Sequence, residues 1–220
     1  MKNKQAERAK KKRRAQRMDE KRKQEDKIYD AFMNAAEGKN IKPYKKRDVI
    51  RAYRKLEVET GIQAIVYGIT AELYVLHMVY GFGEKRLLRH AHSIYKYISV
   101  VGEDLRSNPQ MAEEMRLDAE FDVYSLFDGY EPYDGKKVDK REVARVVAMT
   151  DKIITLMPMI MYPLYYEECW KSKRMNRIGI EIRDVLIDML EKNNIGELRD
   201  CLKKECKIKV GDKGDIYHCV

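Results

Sequence analysis

With 220 residues, 44% of them hydrophobic and 37% charged, the chain can bury one substantial core while presenting an unusually large charged surface. Only five prolines and 12 glycines, leaving long stretches free of both, favour helix. The start is charged from Lys2 with no apolar export segment behind it, so the four cysteines are expected as reduced thiols and the cytoplasm as the compartment.

The net charge of +9 is segregated. Residues 1–27 hold 13 Lys/Arg against 5 Asp/Glu, a net of +8, and residues 28–220 hold 32 against 31. Residues 102–135 run the other way, with 2 basic against 10 acidic side chains. Such polarity bears on partners and says nothing of fold.

Residues 1–27 carry no aromatic residue and one Met, so they bury little and are expected as a basic arm, disordered or a solvated helix. Lys10, Lys11, Lys12, Arg13, Arg14 and Arg17 are its densest cations. Two readings stand: an arm that meets phosphates without reading sequence, or a solubilising tail that pairs with the acidic middle of the same chain. Helical spacing begins at Ile28, Ala31, Phe32 and Ala35, and Gly38 is read as its stop. The next helix, 45–60, buries Val49, Ile50, Tyr53 and Leu56, presents Arg47, Arg51 and Arg54 outward, and ends at Thr60-Gly61.

The segment 62–80 is apolar nearly all round, with Glu72 its one formal charge. Its length approaches the roughly 20 residues that span a bilayer, but Glu72, His77 and Gly68 favour a buried helix and no membrane partner. Gly81-Phe82-Gly83 then turns the chain, Gly81 in the left-handed position and Gly83 as N-cap. From Glu84 to Val101 an amphipathic helix follows. Leu87, Leu88, Ala91, Ile94, Tyr95, Ile98 and Val101 form one face, and Lys85, Arg89, His92 and Lys96 the other. Lys85 and Arg86 beside the helix start are read either as surface cations at an ordinary turn or as an anion site.

The run Leu73-Tyr74-Val75-Leu76-His77-Met78-Val79-Tyr80-Gly81-Phe82-Gly83-Glu84-Lys85-Arg86-Leu87 resembles a stretch in small uncharacterised helical proteins of Firmicutes phages and prophages. There an apolar helix containing Leu-His leads into Gly-Phe-Gly-x-Lys-Arg-Leu. The resemblance covers about fifteen to twenty of the 220 residues. It implies a phage-type accessory protein and carries over no ligand and no activity.

Beyond it, Ser107-Asn108-Pro109 is read as a helix start with Asn108 as the cap. The acids that follow sit on a helix face and a turn-rich loop. They lack the convergence a two-metal centre needs and are expected as a partner-facing surface. In the run 156–166, Pro158 and Pro163 are expected to kink or break any helix, and Met157–Tyr166 is read as core, with an oligomer or partner interface as the alternative. An amphipathic helix over 176–192 ends at Asn193-Asn194, a short helix runs from Ile195 to Cys206, and Lys207–Val220 forms a small hairpin around Gly211–Gly214. Cys201, Cys206, His218 and Cys219 are four zinc-type ligands. The x4 spacing and the adjacency of the last two tell against one tetrahedral site, so no metal or cofactor is expected.

The fold is thus expected as all-α: a basic arm over 1–27, one compact helical domain over 28–206 and a tail over 207–220. No nucleophile elbow, phosphate loop or metalloprotease helix is present, and catalysis is not expected. The leading expectation is nucleic-acid binding, RNA or DNA, through the arm, through Arg47, Arg51 and Arg54, and through Lys85, Arg86, Arg89 and Lys96. Tyr95 or Tyr97 would stack on unpaired bases. The alternative is a protein–protein module such as a phage-encoded inhibitor of a host or defence complex.

Overall fold

A computed structural model describes residues 46–102, 107–133 and 140–219, apart from the side chains of 46–57, 100, 102, 140, 141 and 144. The expected arm and the Ile28–Ala35 helix lie outside the described residues. The chain divides into residues 1–57 and 58–220, and the core described below belongs to the second unit. Among the described residues there are six α-helices, one 3-10 helix and a two-stranded antiparallel hairpin, so the fold is all-α.

Helix α1 spans Lys46–Met78 without interruption. Gly61, expected as a stop, is instead an interior residue. A mid-helix glycine costs about 1 kcal/mol relative to alanine, and burial further along outweighs that. Ala64, Ile69, Ala71, Leu73 and Leu76 are fully enclosed. The helix ends where Gly81 adopts φ +66°. The Gly81 N–H then donates to the His77 carbonyl (3.1 Å) and the Phe82 N–H to the Leu76 carbonyl (2.9 Å), satisfying carbonyls the helix end would leave bare.

Helix α2 (Glu84–Gly102) starts from Gly83, whose carbonyl accepts from the Arg86 and Leu87 N–H groups (both 3.0 Å). Its apolar face follows the sequence pattern, with Leu87, Ala91 and Ile94 buried and Lys85, Arg89, His92 and Lys96 exposed. Helix α3 (Asn108–Ala119) is capped by Ser107, not by Asn108. The Ser107 hydroxyl accepts from the Gln110 N–H and the Gln110 side chain accepts from the Ser107 N–H, a reciprocal box. Asn108 instead donates to the Thr155 carbonyl (3.1 Å). A 3-10 helix, Val123–Phe127, follows, with Asp122 capping the Tyr124 N–H (3.0 Å).

Helix α4 (Lys140–Tyr166) is the centre of the core and runs through both prolines. Pro158 and Pro163 remove the N–H groups that would reach the carbonyls of Ile154 and Met159, yet the helix persists because almost its whole circumference is enclosed here. Met157, Ile160, Met161, Tyr162 and Leu164 are fully buried. The Met-rich run is therefore interior to one chain, and Tyr166, 58% exposed, is its outlying member. The stretch Arg145–Tyr166 meets the length and apolarity of a membrane span at mean hydropathy 1.2, with 61% of that window buried within the fold.

Helices α5 (Ser172–Lys192) and α6 (Ile195–Cys206) close the core, joined at Asn193 in the left-handed conformation. α5 begins four residues before the sequence pattern indicates. Gly179 lets it approach closely, since a Cβ there would lie 2.7 Å from the Phe121 ring. The expected hairpin is present, β1 (Ile208–Val210) against β2 (Ile216–His218).

Candidate functional site

The basic face of α2 meets a feature that sequence inspection passed over. Where α4 ends, Glu167 and Glu168 hydrogen-bond back to the Pro163 carbonyl and Cys169 takes a left-handed turn, which projects both carboxylates toward α2. Two anions at the negative end of a helix dipole need compensation, and α2 supplies it. Arg86 Nη2 donates to Glu168 Oε2 (2.6 Å) while its guanidinium lies 3.6 Å from the centre of the Phe82 ring. Arg89 pairs with Glu168 at 3.6 Å and Lys96 with Glu167 at 3.3 Å. Ser93 also donates to Glu167. Burial works to raise both carboxyls, but the hydrogen bonds from Ser93 and Lys96 to Glu167, and from Arg86 to Glu168, outweigh it and hold both below the usual range.

The stripe is therefore answered internally, though not removed from solvent. The Arg89 side chain stays 71% exposed and that of Lys96 63%, so these pairs are surface contacts of small energy that an external phosphate can compete for. Lys85 is exposed and makes no ion pair among the described residues. Arg47, Arg51 and Arg54 belong to the first turns of α1, where side chains lie outside the described set. Lys10, Lys11, Lys12, Arg13, Arg14 and Arg17 lie outside the described residues altogether.

Neither tyrosine offered for base stacking is free to do so. Tyr97 is 5% exposed and packs edge-to-face on Tyr162, 4.9 Å between ring centres. Tyr95 gives its hydroxyl to the Gly214 carbonyl on the terminal hairpin, and burial, followed by the Asp215 charge, raises its pKa to about 12.

Several acids of the 102–135 segment also have internal partners. Glu114 accepts from the Tyr162 hydroxyl, Asp118 from that of Tyr165 (2.6 Å), and Glu113 forms a local pair with Arg116 (2.6 Å). Among the described residues no three His, Cys, Asp or Glu side chains are grouped as a metal site. Cys201 donates to Glu205 (3.4 Å), Cys206 is buried with its thiol raised to about 11 by burial, and His218 is bound to Glu84 (2.6 Å). Cys219 is half-buried and free.

The buried polar centre is Glu72 with His90. His90 Nε2 lies 3.1 Å from Glu72 Oε1, and the two residues are 3% and 0% exposed. Glu72 Oε2 and the neighbouring Thr70 Oγ1 have no hydrogen-bond partner among the described residues. Burial raises the Glu72 carboxyl against the opposing pull of His90. Glu72 stands out in the sequence as the one charge on an apolar helix. Its partner, 18 residues on and across a turn, does not. The pair is fully enclosed, and its arrangement is that of a cross-link between α1 and α2.

Comparison with protein-family models, with curated proteins and with solved structures yields no match.

Proposed function

We propose that this protein binds nucleic acid without catalysis, as a phage-type accessory protein, with residues 1–27 supplying the main phosphate contacts and the outer face of α2 a secondary one. The observation that carries the reading is the charge distribution: +8 of the net +9 falls in residues 1–27. On α2, Arg86, Arg89 and Lys96 already answer Glu167 and Glu168, so the stripe alone is a weak polyanion site. A cation-dense segment next to a nearly neutral remainder concentrates attraction for phosphates in one stretch of chain. The phage-type role rests on the resemblance of the Gly-Phe-Gly-x-Lys-Arg-Leu run. A protein-docking module has less support, because the Met-rich run is interior and Glu114 and Asp118 serve tyrosines of α4.

The test is fluorescence anisotropy on single- and double-stranded DNA and RNA across a salt series, with the full chain and with residues 1–27 deleted. Full-chain affinity should fall steeply with salt, and deletion should flatten the log–log slope by about 3 or more, since each neutralised phosphate contributes about 0.7–0.9. An unchanged slope after deletion, or salt-independent binding by the full chain, refutes the proposal.

A further inference from the structure

A cleft of about 500 Å³ opens between α1, α4, the α5–α6 junction and the terminal hairpin, remote in sequence from the α2 face. Its size is that of a small-molecule site. Its wall mixes apolar Val66 and Ile195 with polar groups: Gln63 and Tyr67 from α1, Asn193, the guanidiniums of Arg145 and Arg199, and the carboxylates of Glu142 and Asp212.

The two guanidiniums are anchored differently. Arg145 is fixed, its Nε and Nη2 donating to Glu142 (3.1 and 2.6 Å) and Nη2 also to the Leu190 carbonyl (3.3 Å). Its Nη1 makes no hydrogen bond among the described residues. Both Glu142 oxygens face Arg145, and one also accepts from the Tyr133 hydroxyl (3.2 Å), so this acid is fully engaged. The Tyr67 hydroxyl donates to Asn193 Oδ1 (3.3 Å).

Arg199 is the opposite case. Its side chain is 24% exposed, yet its one ionic partner among the described residues is Asp212 at 3.0 Å, and Asp212 is 92% exposed at the tip of the hairpin. A mostly enclosed guanidinium with unused donors is held by a carboxylate that water can detach at little cost. Asp212 thus occupies the position on Arg199 that an incoming oxyanion would take.

We propose that this cleft binds a small phosphate monoester, with its phosphate bridging Arg145 Nη1 and the Arg199 guanidinium and displacing Asp212. A guanidinium fork matches phosphate oxygens in pairs, and two forks suit a dianion. Gln63, Tyr67 and Asn193 would hydrogen-bond the organic portion, which the cleft volume sizes at roughly a mononucleotide.

The experiment is isothermal titration of the full chain with AMP, inorganic phosphate and adenosine at 150 mM salt, which suppresses binding of these probes to surface lysines. AMP and phosphate should bind and adenosine should not. Arg199→Gln should weaken AMP by about 10-fold or more, the scale of a lost charge-assisted pair. Asp212→Asn, which removes the competing carboxylate, should tighten AMP by about 3-fold. This second variant lies at an exposed turn and leaves the fold intact, so its outcome is decisive even if Arg199→Gln loses stability. Binding of AMP that survives Arg199→Gln, adenosine binding as well as AMP, or no tightening in Asp212→Asn overturns the proposal.

Discussion

Replacing His90 with leucine isolates the buried ionisable pair Glu72–His90 of the core. Glu72 is fully enclosed, and one of its oxygens already lacks a partner among the described residues. His90→Leu strands the other, and removing one member of a buried pair costs about 3–5 kcal/mol. For a chain of this size that corresponds to a Tm lower by roughly 6–20 °C. The double variant Glu72→Leu/His90→Leu removes both partners and should recover most of the loss, because two well-packed apolar residues in place of a buried pair are often neutral or better. Urea titration followed by far-UV circular dichroism, with Tm alongside, measures all four corners of the cycle.

The pH dependence has a definite sign. Burial raises Glu72 above 4.5, so its contribution to folding is complete below that value and is lost as pH rises through the raised one. His90 opposes this rise, so without it the loss deepens. His90→Leu should therefore lag wild type more at pH 8 than at pH 5. A single variant melting within about 2 °C of wild type refutes the reasoning. So does a double variant whose loss equals the sum of the singles.

Glu167→Gln/Glu168→Gln releases Arg86, Arg89 and Lys96 and should tighten nucleic-acid binding about 3- to 10-fold while steepening the salt slope by about 1 to 2, read by anisotropy. Because both carboxyls are held low, the contacts they make are present at neutral pH and are lost as pH falls through those lowered values, so an acid titration of wild type should loosen the α2–α4 end first. Gly61→Ala should stabilise by about 0.5–1 kcal/mol in urea titration, since a Cβ there meets nothing within 4 Å and the site is mid-helix. Gly179→Ala should destabilise by about 1–3 kcal/mol, because its Cβ would press on the Phe121 ring and on Leu126 at 2.9 Å.

Local pattern accounted for much of the secondary structure. The 3.6-residue spacing of Leu87, Ala91 and Ile94, the left-handed Gly81, the α6 limits at Ile195 and Cys206, and the alternation in Ile208–Val210 are consequences of short-range chemistry and are legible in the chain itself. The helix breaks expected at Gly61, Pro158 and Pro163 fail for one reason. Gly61, Pro158 and Pro163 carry local penalties of one to a few kcal/mol, and enclosure of neighbours such as Ala64, Ile160 and Tyr162 overrides them, an effect no window of sequence displays. Ser107 took the cap from Asn108 because Gln110 completes a reciprocal box, a signal that was present and not used.

The sequence by itself determined that this chain is helical, that its charge is segregated, and that Glu72 and the α2 cations would need an account. Only tertiary structure decided what those charges face. Glu72 finds His90 across a turn, Glu167 and Glu168 reach α2 from the far end of α4, and Arg145 and Arg199 come to one cleft from helices about fifty residues apart. Helical periodicity assigns a side chain to a face. Which partner occupies the opposite face depends on how separate helices pack, and electrostatic pairing acts over ångströms in space whatever the distance along the chain.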